Sequence, residues 1–160
     1  MRLLTPALLI LAAPGLTACA TTASAQSYPE AAAYDPAADA AKQLDEALAR
    51  ARTDGKKVLL VMGANWCHDS RALAGWLATP RFQQLVADKY ELLFVDVGTP
   101  QTGQGRNLEL ASRFGIEVKS TPTVLVLSGS GELLNRDAAT RWGNASSRSA
   151  DEIYDELVAG

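Results

Sequence analysis

The fold is decided by residues 58–77, which read VLLVMGANWCHDSRALAGWL. The first five of them are apolar without interruption, which is typical of a strand buried on both faces of a parallel sheet. Leu73 and Leu77 recur at helical spacing, so the pattern predicts a helix after the strand. Residues 66–70, WCHDS, stand between the two elements. A cysteine, Cys67, is therefore predicted at a strand-to-helix junction.

The sequence on both sides of this stretch continues the alternation of helices and strands. Leu44, Ala47 and Ala51 predict a helix over residues 40–53, and Gly55 suits the position just past its end. The downstream elements are a helix restarting at Thr79-Pro80, a strand over 92–97, a Gly-rich loop over 98–105, a helix over 108–115, a strand over 123–127, a hairpin turn over 128–131, a return strand over 132–134, and a last helix opened by the capping pair Ser149 and Glu152.

This order of elements predicts the fold class. A parallel βαβ unit followed by a β-hairpin and a helix gives an α/β fold, an α/β/α sandwich around a central mixed sheet of about four strands. The chain has 160 residues, which is the size of one domain.

Composition excludes several classes of function. The formal charge of −3 argues against a nucleic-acid partner, which needs a basic face. Two cysteines exclude a disulfide-stapled scaffold and a four-thiolate metal site, and a single histidine, His68, excludes a His-rich metal centre. We therefore predict no metal and no cofactor. The sequence makes no prediction of oligomeric state.

The N-terminus has the features of a secretory signal. Arg2 precedes an apolar run over residues 3–16, which is too short for the roughly 20 residues of a membrane-spanning helix. Residues 16–19, LTAC, fit a bacterial lipobox, so we predict a signal peptide over 1–18 and a lipid anchor on Cys19. Ala20, rather than an aspartate, after that cysteine favours the outer membrane. The alternative is cleavage after Ala25, which would release a soluble periplasmic protein.

Residues 19–39 are predicted to be a flexible tether, because alanines alternate there with Ser, Thr and Pro and no apolar period appears. The folded domain is then predicted over residues 40–160. Processing at the lipobox would acylate Cys19, and cleavage after Ala25 would remove it. Either event leaves Cys67 as the only free thiol expected in the mature chain. The N-terminal signal places that thiol in an oxidising compartment.

The predicted domain resembles the thioredoxin family. The resemblance rests on the order of elements, on residues 66–70 at the strand end, and on Thr121-Pro122-Thr123 at the start of the third strand. The layout is most similar to the C-terminal thioredoxin-like domain of periplasmic thiol reductases. The resemblance implies a cis Thr121–Pro122 bond beside a nucleophilic Cys67, and substrate contacts from Trp66, His68, Thr121 and Pro122.

Two positions depart from the family pattern. Ser70 stands where the family has the second cysteine, and Val61 stands where thioredoxin keeps a buried acid. A hydroxyl cannot close a disulfide, so a dithiol reductase cycle is excluded. Ser70 is either a hydrogen-bond partner of the Cys67 thiolate or a neutral replacement. Asp69 is expected to be a favourable acid at a helix N-terminus.

Three functions follow from this reading. The first is an envelope protein that forms transient mixed disulfides through Cys67, with Ser70 assisting, and that exchanges or isomerises the disulfides of proteins or small thiols in redox homeostasis. The second is a non-catalytic binding module that uses the edge beside Thr121 and Pro122. The third, a soft-metal site at Cys67 and His68, has only two adjacent ligands and is the weakest.

Overall fold

The strand predicted over residues 58–62 lies at the centre of the main sheet. The computed structural model describes residues 28–160. In it, β1 (Lys57–Gly63) pairs in parallel with β2 (Tyr90–Asp96) and antiparallel with a strand over Thr123–Leu127. The six residues of β1 after Lys57 are all buried, which explains the uninterrupted apolar sequence.

Helices cover both faces of this sheet. They are α1 (Ala40–Asp54), α2 (His68–Leu77), α3 (Pro80–Lys89), α4 (Leu108–Ser112) and α5 (Ala150–Ala159). One core layer joins α2, α3 and α5 to Leu59 and Val61 of β1. The other joins α1 and α4 to Leu60 and Met62. Successive side chains of one strand therefore face opposite layers, and the predicted α/β/α sandwich with a mixed sheet is confirmed.

The predicted fourth strand is absent from the described part of the chain, where the main sheet has three strands in the order β2, β1 and Thr123–Leu127. Residues 132–134 return after the turn but contribute only one bridge, between Leu127 and Leu133. The physical reason is Asn135. Its side chain accepts a hydrogen bond from the Val126 amide at 2.8 Å and donates to the Val124 carbonyl at 2.9 Å, so a side chain satisfies backbone groups that a neighbouring strand would otherwise pair.

The Gly-rich loop predicted over residues 98–105 contains a small ribbon. Its strands β3 (Gly98–Thr99) and β4 (Gln104–Gly105) pair antiparallel around a 3₁₀ turn at Pro100–Thr102. In chain order, the strand over Thr123–Leu127 is thus β5. The ribbon follows directly from the end of β2, on the side of the sheet where Cys67 lies.

The segment before α1 differs from the prediction of a flexible tether. Residues 28–39 pack against the domain, and Tyr34 is only 1% exposed. The Ala31 amide donates to the Arg71 carbonyl at 3.1 Å, and the Asn65 side chain bonds both backbone groups of Tyr34. The segment is held by single anchor points rather than by a repeating apolar face, so it has no periodicity to detect.

The predicted signal peptide, the lipid-bearing Cys19 and the alternative cleavage site at Ala25 lie outside the described residues. Between residues 28 and 160, none of the helices has both the length and the apolar character required to cross a membrane.

Candidate active site around Cys67

Cys67 is the residue that opens α2. It takes the N-cap position with φ −83° and ψ 123°, as the strand-to-helix junction predicted. Its side chain therefore lies at the end of the helix where backbone N–H groups have no intrahelical acceptor. The residue is 8% exposed.

The Thr121–Pro122 segment lies against this sulfur. The peptide bond between the two residues is cis, which confirms the expectation drawn from the family resemblance. The Cys67 Sγ donates a hydrogen bond to the Thr121 carbonyl at 3.2 Å. The fold thus brings together two motifs that are 54 residues apart in the chain.

Ser70 lies in the first turn of α2, three residues after Cys67. It is completely buried, and its Oγ has no hydrogen-bond partner within the described residues. The hydrogen bond between Ser70 and Cys67 that the sequence suggested is therefore not formed while the sulfur carries its proton and donates to Thr121. A buried hydroxyl without a partner is unusual in folded proteins and calls for an explanation.

Trp66 is the most exposed large apolar side chain of the described chain, at 52%. Its indole Nε1 donates to the Gly98 carbonyl at 2.9 Å, which fixes the ring against the ribbon of β3 and β4. The ring also borders a cavity of about 250 Å³, together with Pro36, Asp96 and Arg106. The side chain before Cys67 is thus held in place at the rim of an open pocket.

His68 and Asp69 are both partnered. The His68 ring is more than half exposed and lies 3.4 Å from a Glu30 carboxylate oxygen, with the Tyr28 hydroxyl also in contact. Asp69 accepts hydrogen bonds from the Ser146 amide at 2.8 Å and from the Ser146 hydroxyl at 2.7 Å. Asp69 lies in the first helical turn as expected, and its carboxylate also ties α2 to the loop before α5.

The described site has no free carboxylate at the position of thioredoxin's buried acid, and the nearby Asp96 already has partners. Val61 is fully buried in the core. Asp96, at the end of β2, accepts from the Gly98 amide at 2.9 Å and lies 3.4 Å from the Arg106 Nε. Asp96 is therefore a turn residue at the end of β2.

No group of three metal-ligating side chains is present within residues 28–160. Cys67 and His68 thus have no third ligand in the described part of the chain.

Tyr34 is the site residue that sequence reasoning missed. Its hydroxyl donates to the Ser70 carbonyl at 3.1 Å, from a segment that precedes α1. Burial raises the pKa of Tyr34 well above its ordinary value, so the hydroxyl stays protonated. The one available signal was an aromatic residue isolated in an alanine-rich segment.

Comparison with known proteins agrees with the fold. Residues 39–129 match the family model described as thioredoxin-like, and the chain belongs to the thioredoxin-like family. The crystal structure of a disulphide isomerase from Xylella fastidiosa Temecula1 is 34% identical, with a TM-score of 0.70; the match covers 84% of this chain and 98% of that one.

Two further solved structures are more distant. A thioredoxin from Thermus thermophilus is 24% identical over 72% of this chain and 81% of its own, with a TM-score of 0.48. The C-terminal domain of Neisseria meningitidis DsbD in the oxidised form is 23% identical over 65% of this chain and 85% of its own, with a TM-score of 0.43. No protein of curated function matches the chain.

Proposed function

We propose that this chain is an envelope thioredoxin-like protein that exchanges or isomerises disulfides through the single nucleophile Cys67. The observation that carries the proposal is the position of the sulfur, at the N-terminus of α2 and 3.2 Å from the Thr121 carbonyl next to the cis proline. The similarity to a protein described as a disulphide isomerase, at 34% identity over 84% of the chain, supports the same chemistry.

The reaction needs one enzyme thiol and one external thiol. The Cys67 thiolate attacks one sulfur of a substrate disulfide, a Cys67–substrate disulfide forms, the original S–S bond breaks, and the departing thiolate takes a proton from water. A second thiol, from the same substrate or from a small molecule, then attacks the mixed disulfide and releases Cys67. Isomerisation involves no net oxidation, so Ser70 in place of a second cysteine is compatible with it.

The environment of the sulfur suggests how the thiolate is stabilised. In the thiol form, the Sγ proton is directed at the Thr121 carbonyl. Once that proton leaves, a carbonyl oxygen faces an anion, so the sulfur needs new donors. The first-turn amides of α2 provide some, and the Ser70 hydroxyl, one turn along the same face of the helix, is a buried donor with no other partner among the described residues.

The location in the envelope is proposed from the sequence of residues 1–27. The lipobox ending at Cys19 supports an acylated protein of the outer membrane that faces the periplasm, and Ala25 supports a soluble periplasmic form as the alternative. Either location supplies protein disulfides as substrates.

The test uses the mature chain with Cys19→Ser, incubated with glutathione disulfide and analysed by intact mass. We expect one glutathione adduct, absent from the Cys67→Ser control, and almost no insulin reduction with a dithiol reductant. Ser70→Cys should raise insulin reduction, because it restores the Cys-x-x-Cys spacing. Robust insulin turnover by the wild type without added monothiol would contradict the monothiol mechanism, and the absence of an adduct would contradict nucleophilic chemistry at Cys67.

The second candidate is a binding module that holds an extended partner at the edge beside Thr121 and Pro122. The observation that favours it is the small exposure of Cys67 together with its hydrogen bond to Thr121. Affinity purification from the envelope separates the two functions. A partner captured equally by wild type and Cys67→Ser supports the binding module, whereas a partner released only by reductant supports disulfide exchange.

A further inference from the structure

Tyr34 is fixed to the loop that carries Cys67, although it precedes that loop by more than thirty residues. Its amide donates to the Asn65 Oδ1 at 3.1 Å, and its carbonyl accepts from the Asn65 Nδ2 at 2.7 Å. Two bonds to one side-chain amide determine both the position and the orientation of the Tyr34 backbone. Asn65 belongs to the turn between β1 and α2, two residues before Cys67.

The Tyr34 ring shares a small compartment with Ser70. A Cβ added to Gly63 would lie 2.5 Å from the Ser70 Oγ and 2.8 Å from the Tyr34 Cε1 and Cζ atoms. The absence of a side chain at residue 63 therefore provides the room into which both groups project. The ring is also supported from the side by Phe94, with centroids 5.3 Å apart at 77°.

The polar atoms of this compartment are unequally satisfied. The Tyr34 hydroxyl donates to the Ser70 carbonyl and lies near enough to the Ser70 side chain for that side chain to oppose the rise in its pKa, while the Ser70 Oγ forms no hydrogen bond of normal geometry with any described residue. A tyrosine is protonated at neutral pH, and burial raises the pKa of Tyr34 further. Ser70 is completely buried, and its Oγ and the Tyr34 ring both face the space beside Gly63.

Resting on the proposed thiol chemistry, we propose that Tyr34 is a positioning residue for the Cys67 nucleophile and that it acts through Ser70. Its ring keeps water from the Ser70 hydroxyl, and its own hydroxyl holds the first turn of α2 by the Ser70 carbonyl. Once Cys67 has lost its proton and no longer donates to the Thr121 carbonyl, the Ser70 hydroxyl donates a hydrogen bond to the Cys67 thiolate.

The charged side chains around this turn have partners other than Tyr34 and Ser70. Glu30 contacts both His68 and Arg71, Arg71 also donates to the Asn65 carbonyl at 3.0 Å, and Asp69 is held by Ser146. None of these contacts involves the Tyr34 hydroxyl, so a change of thiol reactivity in Tyr34→Phe reports on Ser70 and Tyr34.

The test is a double-mutant cycle on Cys67 alkylation. The rate of reaction with iodoacetamide is measured against pH for wild type, Tyr34→Phe, Ser70→Ala and the double variant, all in the mature chain with Cys19→Ser. We expect each single variant to slow alkylation at pH 7 by roughly three- to tenfold and to move the midpoint of the pH profile upward, because Ser70→Ala removes the proposed donor to the thiolate and Tyr34→Phe removes the bond that positions that donor. The double variant should be no slower than Ser70→Ala.

The matched control is Tyr90→Phe. Tyr90 is also buried, and its hydroxyl also donates to a backbone carbonyl, that of Leu157, at 2.6 Å. This variant should lose a similar amount of stability and keep the wild-type pH profile. If Tyr34→Phe does not fold, Asn65→Ala takes its place, because it releases the Tyr34 backbone but keeps the ring and hydroxyl. It should slow alkylation in the wild-type background and not in the Ser70→Ala background.

The outcomes separate this inference from the proposed function. A wild-type profile for Tyr34→Phe together with slowed Ser70→Ala would overturn the role of Tyr34 and leave the mixed-disulfide chemistry intact. Effects of Tyr34→Phe and Ser70→Ala that multiply in the double variant would also overturn it, because Tyr34 would then act independently of Ser70. Failure of the glutathione adduct, by contrast, would contradict the proposed function itself.

Discussion

At the scale of single residues, the most informative feature of the site is Ser70 and the residues that surround its side chain. A hydroxyl at position 70 cannot form a disulfide with Cys67, yet it is buried as deeply as the strand core, beside Gly63 and Tyr34. A serine with no role beyond filling space would be expected to bond a nearby backbone carbonyl, as Ser112 does with the Leu108 carbonyl at 3.1 Å. The unpaired Oγ of Ser70 is therefore a feature of the site.

The first prediction concerns Gly63→Ala. The added Cβ would lie 2.5 Å from the Ser70 Oγ and 2.8 Å from two ring atoms of Tyr34, so at least one of these groups must shift. We expect a loss of about 1–3 kcal/mol in the free energy of unfolding, as is usual for overpacking. Urea denaturation followed by circular dichroism measures it.

The control for that prediction is the same substitution in the Ser70→Ala background. Removing the Oγ eliminates the closer of the two contacts, so Gly63→Ala should cost less there than in the wild type. Equal costs in the two backgrounds would show that Ser70 does not occupy this compartment in solution.

Local patterns predicted some site residues and missed others for an identifiable reason. The positions of Cys67 and Asp69 follow from where α2 begins, and the Thr121–Pro122 bond follows from the family pattern; all of these are local in sequence. Tyr34 joins the site through Asn65 and Ser70, which are 31 and 36 residues away. No spacing rule connects an isolated aromatic residue to a turn at that distance.

At the scale of secondary structure, agreement is best where a cap or a continuous apolar run defines an element. The predicted α1 ends within one residue of its observed end at Asp54, and the capping box at Ser149 and Glu152 is formed. The prediction of a return strand after β5 was wrong, because the Asn135 side chain bonds the Val126 amide and the Val124 carbonyl at the edge of β5. Side-chain pairing of this kind leaves no hydrophobic pattern, so the sequence predicted a return strand where the structure forms the turn and a single bridge.

The second prediction concerns the capping box of α5. The Glu152 carboxylate accepts from the Ser149 amide and hydroxyl, both at 2.8 Å, and these bonds lower the pKa of Glu152 below its usual value near 4.5. Because the folded pKa lies below the unfolded one, the stabilisation is present above pH 4.5 and is lost as the pH falls through the folded pKa.

Glu152→Gln should therefore be less stable than wild type at pH 7, and the difference should shrink at pH 3. Thermal unfolding at several pH values measures this difference. The matched control is Glu132→Gln, since the Glu132 carboxylate is exposed and makes no hydrogen bond or ion pair within residues 28–160. A difference between wild type and Glu152→Gln that is the same at both pH values would contradict the role of the ionised carboxylate.

At the scale of the whole molecule, the folded domain begins before residue 40, where the sequence pattern predicts that it begins. Residues 28–39 look like a spacer, but they add a wall to the active site, an ion pair between Glu30 and Arg71, and the Tyr34 anchor. If residues 1–27 lead to a lipid anchor as proposed, the chain between that anchor and the domain ends in residues 28–39, which contact the loop that carries Cys67. The position of Cys67 relative to the membrane would then depend on how the segment over 28–39 is held.

The third prediction tests that dependence by comparing chains that start at residue 28 and at residue 40. Loss of a buried aromatic side chain costs about 3–5 kcal/mol, and deletion of residues 28–39 removes Tyr34 together with its bonds to Asn65 and Ser70. We expect the shorter chain to unfold at a much lower guanidinium concentration, and Cys67 to be alkylated in it with the pH profile of Tyr34→Phe. The variant Tyr34→Ala in the longer chain separates the contribution of this one ring from that of the segment. Equal unfolding midpoints for the two chains would mean that residues 28–39 are the flexible tether that their composition predicts, because a segment that contributes packing to the core cannot be removed without loss of stability.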